Sequence, residues 1–121
     1  MYKIQVTSGF SAAHFLRNYK GKCETLHGHN WKVEAVVSSR TLDSLGLVID
    51  FKKLKQKLDR ILEEFDHVLL NDAEYFKTHN PTSEHVAAYI FNKLKPEIPS
   101  PHTLEEVRVW EKDTSCAMYQ E

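Results

Sequence analysis

The sequence predicts an α+β fold, a four-stranded antiparallel sheet in the order ββααββ with two helices covering one face. Three observations carry that expectation: alternating apolar and polar side chains in two segments near the N-terminus, the same alternation near the C-terminus, and helical spacing of apolar residues between them.

The first alternating segment starts at Tyr2 and sets Ile4, Val6, Ser8, Phe10 and Ala12 on one side, with Gly9 as a candidate bulge. The second runs from Asn30 to Ser39, with Trp31, Val33, Ala35 and Val37 on one face and Lys32 and Glu34 pointing away. A loop through Leu45-Gly46 leads to Asp50, placed as a helix cap before Phe51, Leu54, Leu58, Ile61, Leu62 and Phe65. A second helix begins after Asn80-Pro81, with Thr82 as its cap. It carries Val86, Ile90 and Leu94 before Pro96 stops it. Leu104 to Lys112 alternates again with Val107 and Val109 inward, and Met118-Tyr119 closes a last short strand. An open sheet of this size leaves two edges that seek partners, so self-association is expected.

The 121 residues, 41% of them hydrophobic, suit a single domain over 1–121. With 16 basic against 17 acidic residues, the net charge of −1 supplies no field to recruit nucleic acid or an anionic membrane. No stretch approaches the ~20 apolar residues of a membrane span and the N-terminus lacks a signal-peptide run, so a cytoplasmic protein is expected. In that reducing compartment Cys23 and Cys116 are not expected to pair.

Candidate chemistry concentrates in Cys23-Glu-Thr-Leu-His27-Gly-His29. In an extended chain, His27 and His29 project from the same face, and His14, at the end of the first strand, lies opposite if the two strands pair. Three neutral imidazoles at roughly 2.0–2.1 Å would hold a zinc ion and leave a fourth position open. The competing reading is a polar His-Gly-His turn with His14 packed separately. Cys23 could close the metal site as a fourth ligand, or stand beside it as a base or nucleophile. Cys116 is the better candidate for an inert thiol.

Asp66-His67 offers a carboxylate to orient an imidazole, although a polar helix end with His67 facing the dipole accounts for it equally well. Glu111 shares the parity of the inward valines. It either reaches solvent at the strand end or meets a partner such as the paired N–H donors of a guanidine-like heterocycle.

Together, His14, Cys23-x-x-x-His27-Gly-His29, Asp66-His67, Pro81-Thr82-Ser83-Glu84 and Trp110-Glu111 resemble, in order, the motifs of the 6-pyruvoyltetrahydropterin synthase superfamily. The likeness is closest to its bacterial 6-carboxytetrahydropterin synthase branch. The resemblance implies a tunnelling fold, with subunits trimerising into a barrel, trimers stacking into a hexamer, and active sites between subunits. It implies zinc held by His14, His27 and His29, a catalytic thiol at Cys23, and Asp66 and His67 as catalytic partners from a neighbouring subunit. Glu111 would anchor a pterin, with Thr82 and Glu84 as further substrate-binding residues. The implied reaction converts 7,8-dihydroneopterin triphosphate to 6-carboxytetrahydropterin, releasing acetaldehyde and triphosphate. The alternatives are a 6-pyruvoyltetrahydropterin synthase, which leaves the side chain uncleaved, and a non-catalytic zinc-stapled oligomer with a closed Cys-His₃ site. The sequence departs from relatives at His85, where they often carry Asn.

Overall fold

In a computed structural model, described for residues 1–22 and 24–121, strands β1 (Tyr2–His14) and β2 (His27–Ser39) pair antiparallel in unbroken register from Tyr2 opposite Ser39 to His14 opposite His27. Strand β4 (Thr103–Lys112) pairs with β2, and β5 (Ser115–Tyr119) pairs with β4. These are the four strands the alternation predicts. The sheet adds a two-residue strand, β3 (Val68–Leu69), parallel to β1, giving the order β3-β1-β2-β4-β5.

Gly9 marks no bulge, because the β1–β2 ladder runs through it without a shift. Glycine is required there for close approach: a Cβ at this position would lie 2.6 Å from the Trp31 carbonyl oxygen. The register shifts fall in β4, opposite Val36/Val37 on one side and at Trp110/Lys112 on the other.

Helix α1 (Phe51–Leu62) is capped by the Asp50 carboxylate, which accepts from the Lys52 amide. It ends three residues before Phe65, which is buried from the turn beyond the helix. A short helix α2 (Glu74–Thr78), which the apolar spacing does not predict, precedes α3 (Ser83–Leu94). In α3 the Thr82 hydroxyl accepts the His85 amide as N-cap. Leu54, Leu58 and Leu62 from α1 and Val86, Ile90 and Leu94 from α3 are buried against Val6, Phe10, Val33, Val107 and Val109 of the sheet, forming one core. The opposite sheet face is not simply polar. Glu34 is buried there among Gln5, Trp110 and Arg108, each within hydrogen-bonding or ion-pair reach of its carboxylate.

Candidate active site

The β1–β2 register puts His14 directly across from His27, and His29 lies on the same face two residues on. Trp31 fixes the floor. Its indole N–H donates to the Ala12 carbonyl at 3.1 Å, and its ring meets those of His14 and His29 edge-on at centroid distances of 4.8 and 5.6 Å.

Two of the three imidazoles have their tautomer set by a carbonyl. His14 Nδ1 lies 2.8 Å from the Pro81 oxygen and His27 Nδ1 lies 2.8 Å from the Thr25 oxygen. A carbonyl only accepts, so both Nδ1 atoms carry hydrogen and both Nε2 atoms present lone pairs in the neutral rings. Those lone pairs face each other, with the Nε2 atoms 3.1 Å apart. Glu111 adds another acceptor: its Oε1 lies 3.0 Å from His14 Nε2, 3.6 Å from His27 Nε2 and 2.8 Å from His29 Nε2. Despite that last distance, His29 Nε2 lacks the alignment of a hydrogen bond and is a buried polar atom without a partner among the described residues.

Converging acceptors repel unless a cation lies between them. One proton can bridge a single pair; a metal ion satisfies all of them. The ligand atoms of His14, His27, His29 and Glu111 lie within 4.8 Å of one another, so the group fits an ion. The mixed imidazole and carboxylate set suits zinc and its borderline neighbours better than calcium or magnesium.

The local electrostatics reflect this crowding. Burial lowers the affinity of His29 for a proton, against the pull of Glu111, and the neighbouring His27 and His14 act in the same direction as burial. Burial pushes the Glu111 carboxyl up, but the imidazoles of His14 and His29 outweigh it and hold the group below its ordinary range. Both shifts favour the protonation states that ligate metal.

Glu111 also faces a second feature. Its Oε2 accepts from the Ser83 hydroxyl at 3.3 Å. With Ser83, Glu84, Ser115, Cys116 and Ala117 it lines a cleft of about 290 Å³ beside the imidazoles. Thus Glu84 and Glu111 are brought together, whereas the Thr82 hydroxyl is engaged as the cap of α3. Cys116, expected as an inert thiol, is half-buried and contributes to the cleft wall.

Asp66 and His67 form a clip onto β1. The Asp66 carboxylate accepts the Ser11 amide at 2.9 Å, and the His67 amide donates to the Ser11 carbonyl at 2.6 Å. His67 takes a positive φ of 60°, and its Nδ1 lies 3.0 Å from Asp66 Oδ2. The Ser11 amide, and after it His67, holds the Asp66 carboxyl below the usual range. The His67 ring is 80% exposed and lies outside the four-residue cluster. It shares a cleft of about 500 Å³ with Ser11, Gly28, His29 and Asn30. Cys23, the expected catalytic thiol, lies outside the described residues.

Sequence reasoning missed that Glu111 joins the imidazoles. The signal was available in its parity with Val107 and Val109, but its use required knowing that β4 lies beside β2.

A five-stranded sheet backed by helices, with histidines of adjacent strands and a carboxylate converging at one end beside a cleft, defines an α+β protein with a site able to hold a metal ion. Residues 3–121 match the 6-pyruvoyl tetrahydropterin synthase family, and the chain belongs to that family. It is 39% identical to the 6-carboxy-5,6,7,8-tetrahydropterin synthase of Synechocystis sp., an alignment covering 98% of this chain and 93% of the relative. It is 32% identical to the protein of the same name from Haemophilus influenzae, with both chains covered in full. Among solved structures, the 6-pyruvoyl tetrahydropterin synthase of Caenorhabditis elegans superposes with a TM-score of 0.86 at 30% identity, covering 99% of this chain and 95% of that one.

Proposed function

We propose that the protein is a zinc-dependent 6-carboxy-5,6,7,8-tetrahydropterin synthase, a lyase that converts 7,8-dihydroneopterin triphosphate to 6-carboxytetrahydropterin with release of acetaldehyde and triphosphate. The observation that carries this reading is the convergence of His14, His27 and His29 on one point beside a carboxylate-lined cleft. The names of the bacterial relatives support the carboxy product over the pyruvoyl one.

His14, His27 and His29 would hold the zinc ion, which supplies Lewis acidity toward the hydroxyls and adjacent C–H of the substrate side chain. In this reading Glu111 borders the imidazoles and is not counted as a ligand. With Glu84 it would present carboxylate oxygen on the cleft side to the N–H donors of the pterin's guanidine-like edge, the Ser83 hydroxyl steadying the Glu111 carboxylate. Thr82 contributes by capping α3, which keeps Ser83 and Glu84 at the cleft. Asp66 remains a carboxylate 3.0 Å from His67 Nδ1, which favours a hydrogen on that nitrogen and would leave His67 Nε2 to take up or give the proton. Cys23, four residues before His27 in the sequence, would supply the paired base, a role implied by the family resemblance. The exposure of His67 suits action on a site completed by a second subunit, and we read the assembly as a cytoplasmic hexamer of stacked trimers serving queuosine biosynthesis.

The test is product identification with zinc-loaded protein and dihydroneopterin triphosphate. Acetaldehyde with 6-carboxytetrahydropterin is expected; a pyruvoyl product without acetaldehyde selects the alternative synthase. Cys23→Ala should retain one zinc per subunit and lose turnover by at least about 100-fold, the scale of a general base. Loss of the metal from that variant would instead indicate a closed, non-catalytic site.

A further inference from the structure

We propose that His85 is a positioning residue for the metal-binding imidazole of His14, an inference that rests on the metal-centre reading above. His14 is 2% exposed, and the acceptor for its Nδ1–H is the carbonyl of Pro81, in the loop before α3. A hydrogen bond of this kind fixes ring orientation and tautomer, and so determines where Nε2 points.

Pro81 is held through its predecessor. The Asn80 carbonyl accepts two hydrogen bonds, from the Thr82 amide at 2.8 Å and from His85 Nδ1 at 2.7 Å. Together these fix the peptide plane entering Pro81, whose ring locks φ. The Asn80 side chain staples the same loop to the chain beyond β1: its Oδ1 accepts the Arg17 amide at 2.8 Å and its Nδ2 donates to the Arg17 carbonyl at 3.1 Å. The Arg17 guanidinium donates to the Phe76 and His79 carbonyls. His14 and its carbonyl partner are therefore tied at both ends, and His85 is the one side chain of α3 that holds the Asn80 carbonyl among the described residues.

His85 acts through a single donor. The side-chain amide nitrogen of Asn stands the same number of bonds from Cα as His Nδ1, so Asn can replace it in this role. Asp matches Asn in shape but, as a carboxylate, cannot donate to a carbonyl. At the third position of α3 an added carboxylate also favours the helix, so His85→Asp is expected to fold. Its negative charge would attract a cation, so weakened binding cannot come from charge.

The experiment strips the full-length protein of metal and titrates zinc against a chromophoric chelator for wild type, His85→Asn and His85→Asp. Cobalt(II) absorption spectra of the three report coordination geometry. His85→Asp should bind zinc about 10–100-fold more weakly, with a changed cobalt spectrum. His85→Asn should bind within about threefold of wild type, with the wild-type spectrum. Equal affinity and spectra for His85→Asp and wild type would overturn the positioning role while leaving the metal centre standing. Failure of wild type to bind one zinc per subunit would overturn both.

Discussion

Asn71 offers the sharpest test of how the histidine-bearing end of β1 is held. It is only 8% exposed, in the turn after β3, and it grips the residue next to His14 from both sides. Its Oδ1 accepts the Phe15 amide at 3.0 Å, and its Nδ2 donates to the Phe15 carbonyl at 2.9 Å. Asn71→Ala removes both hydrogen bonds and leaves a backbone donor and acceptor without their partner. Each loss costs about 1–2 kcal/mol where water reaches the stranded group only in part, so the sum is about 2–4 kcal/mol. For a chain of this length that corresponds to roughly 8–16 °C in melting temperature. Asn71→Leu, which restores volume without hydrogen bonding, should lose nearly as much, separating this cause from a packing cavity. The assay is urea unfolding of the metal-free protein at fixed concentration, with an unchanged slope expected. A loss below about 0.5 kcal/mol in both variants would refute the reasoning, because it would place Asn71 among inconsequential surface positions.

Gly9→Ala should be destabilised by about 1–3 kcal/mol in thermal melting, because the new Cβ would meet the Trp31 carbonyl oxygen at 2.6 Å and force β1 from β2. Metal affinity should fall with it, since Trp31 packs against His14 and His29. Asp66 supplies a pH dependence: its folded pKa lies below the ordinary 3.8, so its contribution is present above that value and disappears as pH falls through the folded one. Stability of the wild type should therefore decline more steeply with acid below about pH 4 than that of Asp66→Asn, and parallel acid-unfolding curves would contradict the clip.

The ββααββ order was legible because each long element repeats its apolar residues over three or more turns or pleats, as in α1 and β2. The short elements were not. Strand β3 is two residues long and α2 five, too brief for any period to register. The surroundings of Glu34 were illegible for a different reason: alternation placed it outward, as observed, but could not reveal that Gln5, Trp110 and Arg108 would bury it there.

Local chemistry is what the sequence by itself determined. His27 and His29 must share a face wherever the chain is extended, Asp50 and Thr82 cap because an amphipathic helix begins directly after each, and the ordered motifs place the chain in its family. Tertiary structure alone decided the distances between groups far apart in sequence. It brought Glu111 against His14, set the Pro81 carbonyl on His14 Nδ1, and turned His85 from an unassigned departure into part of that support. The physical reason is that side-chain periodicity depends on the backbone of one segment, whereas convergence depends on which strands pair, in what register, and on which loops the buried polar groups recruit.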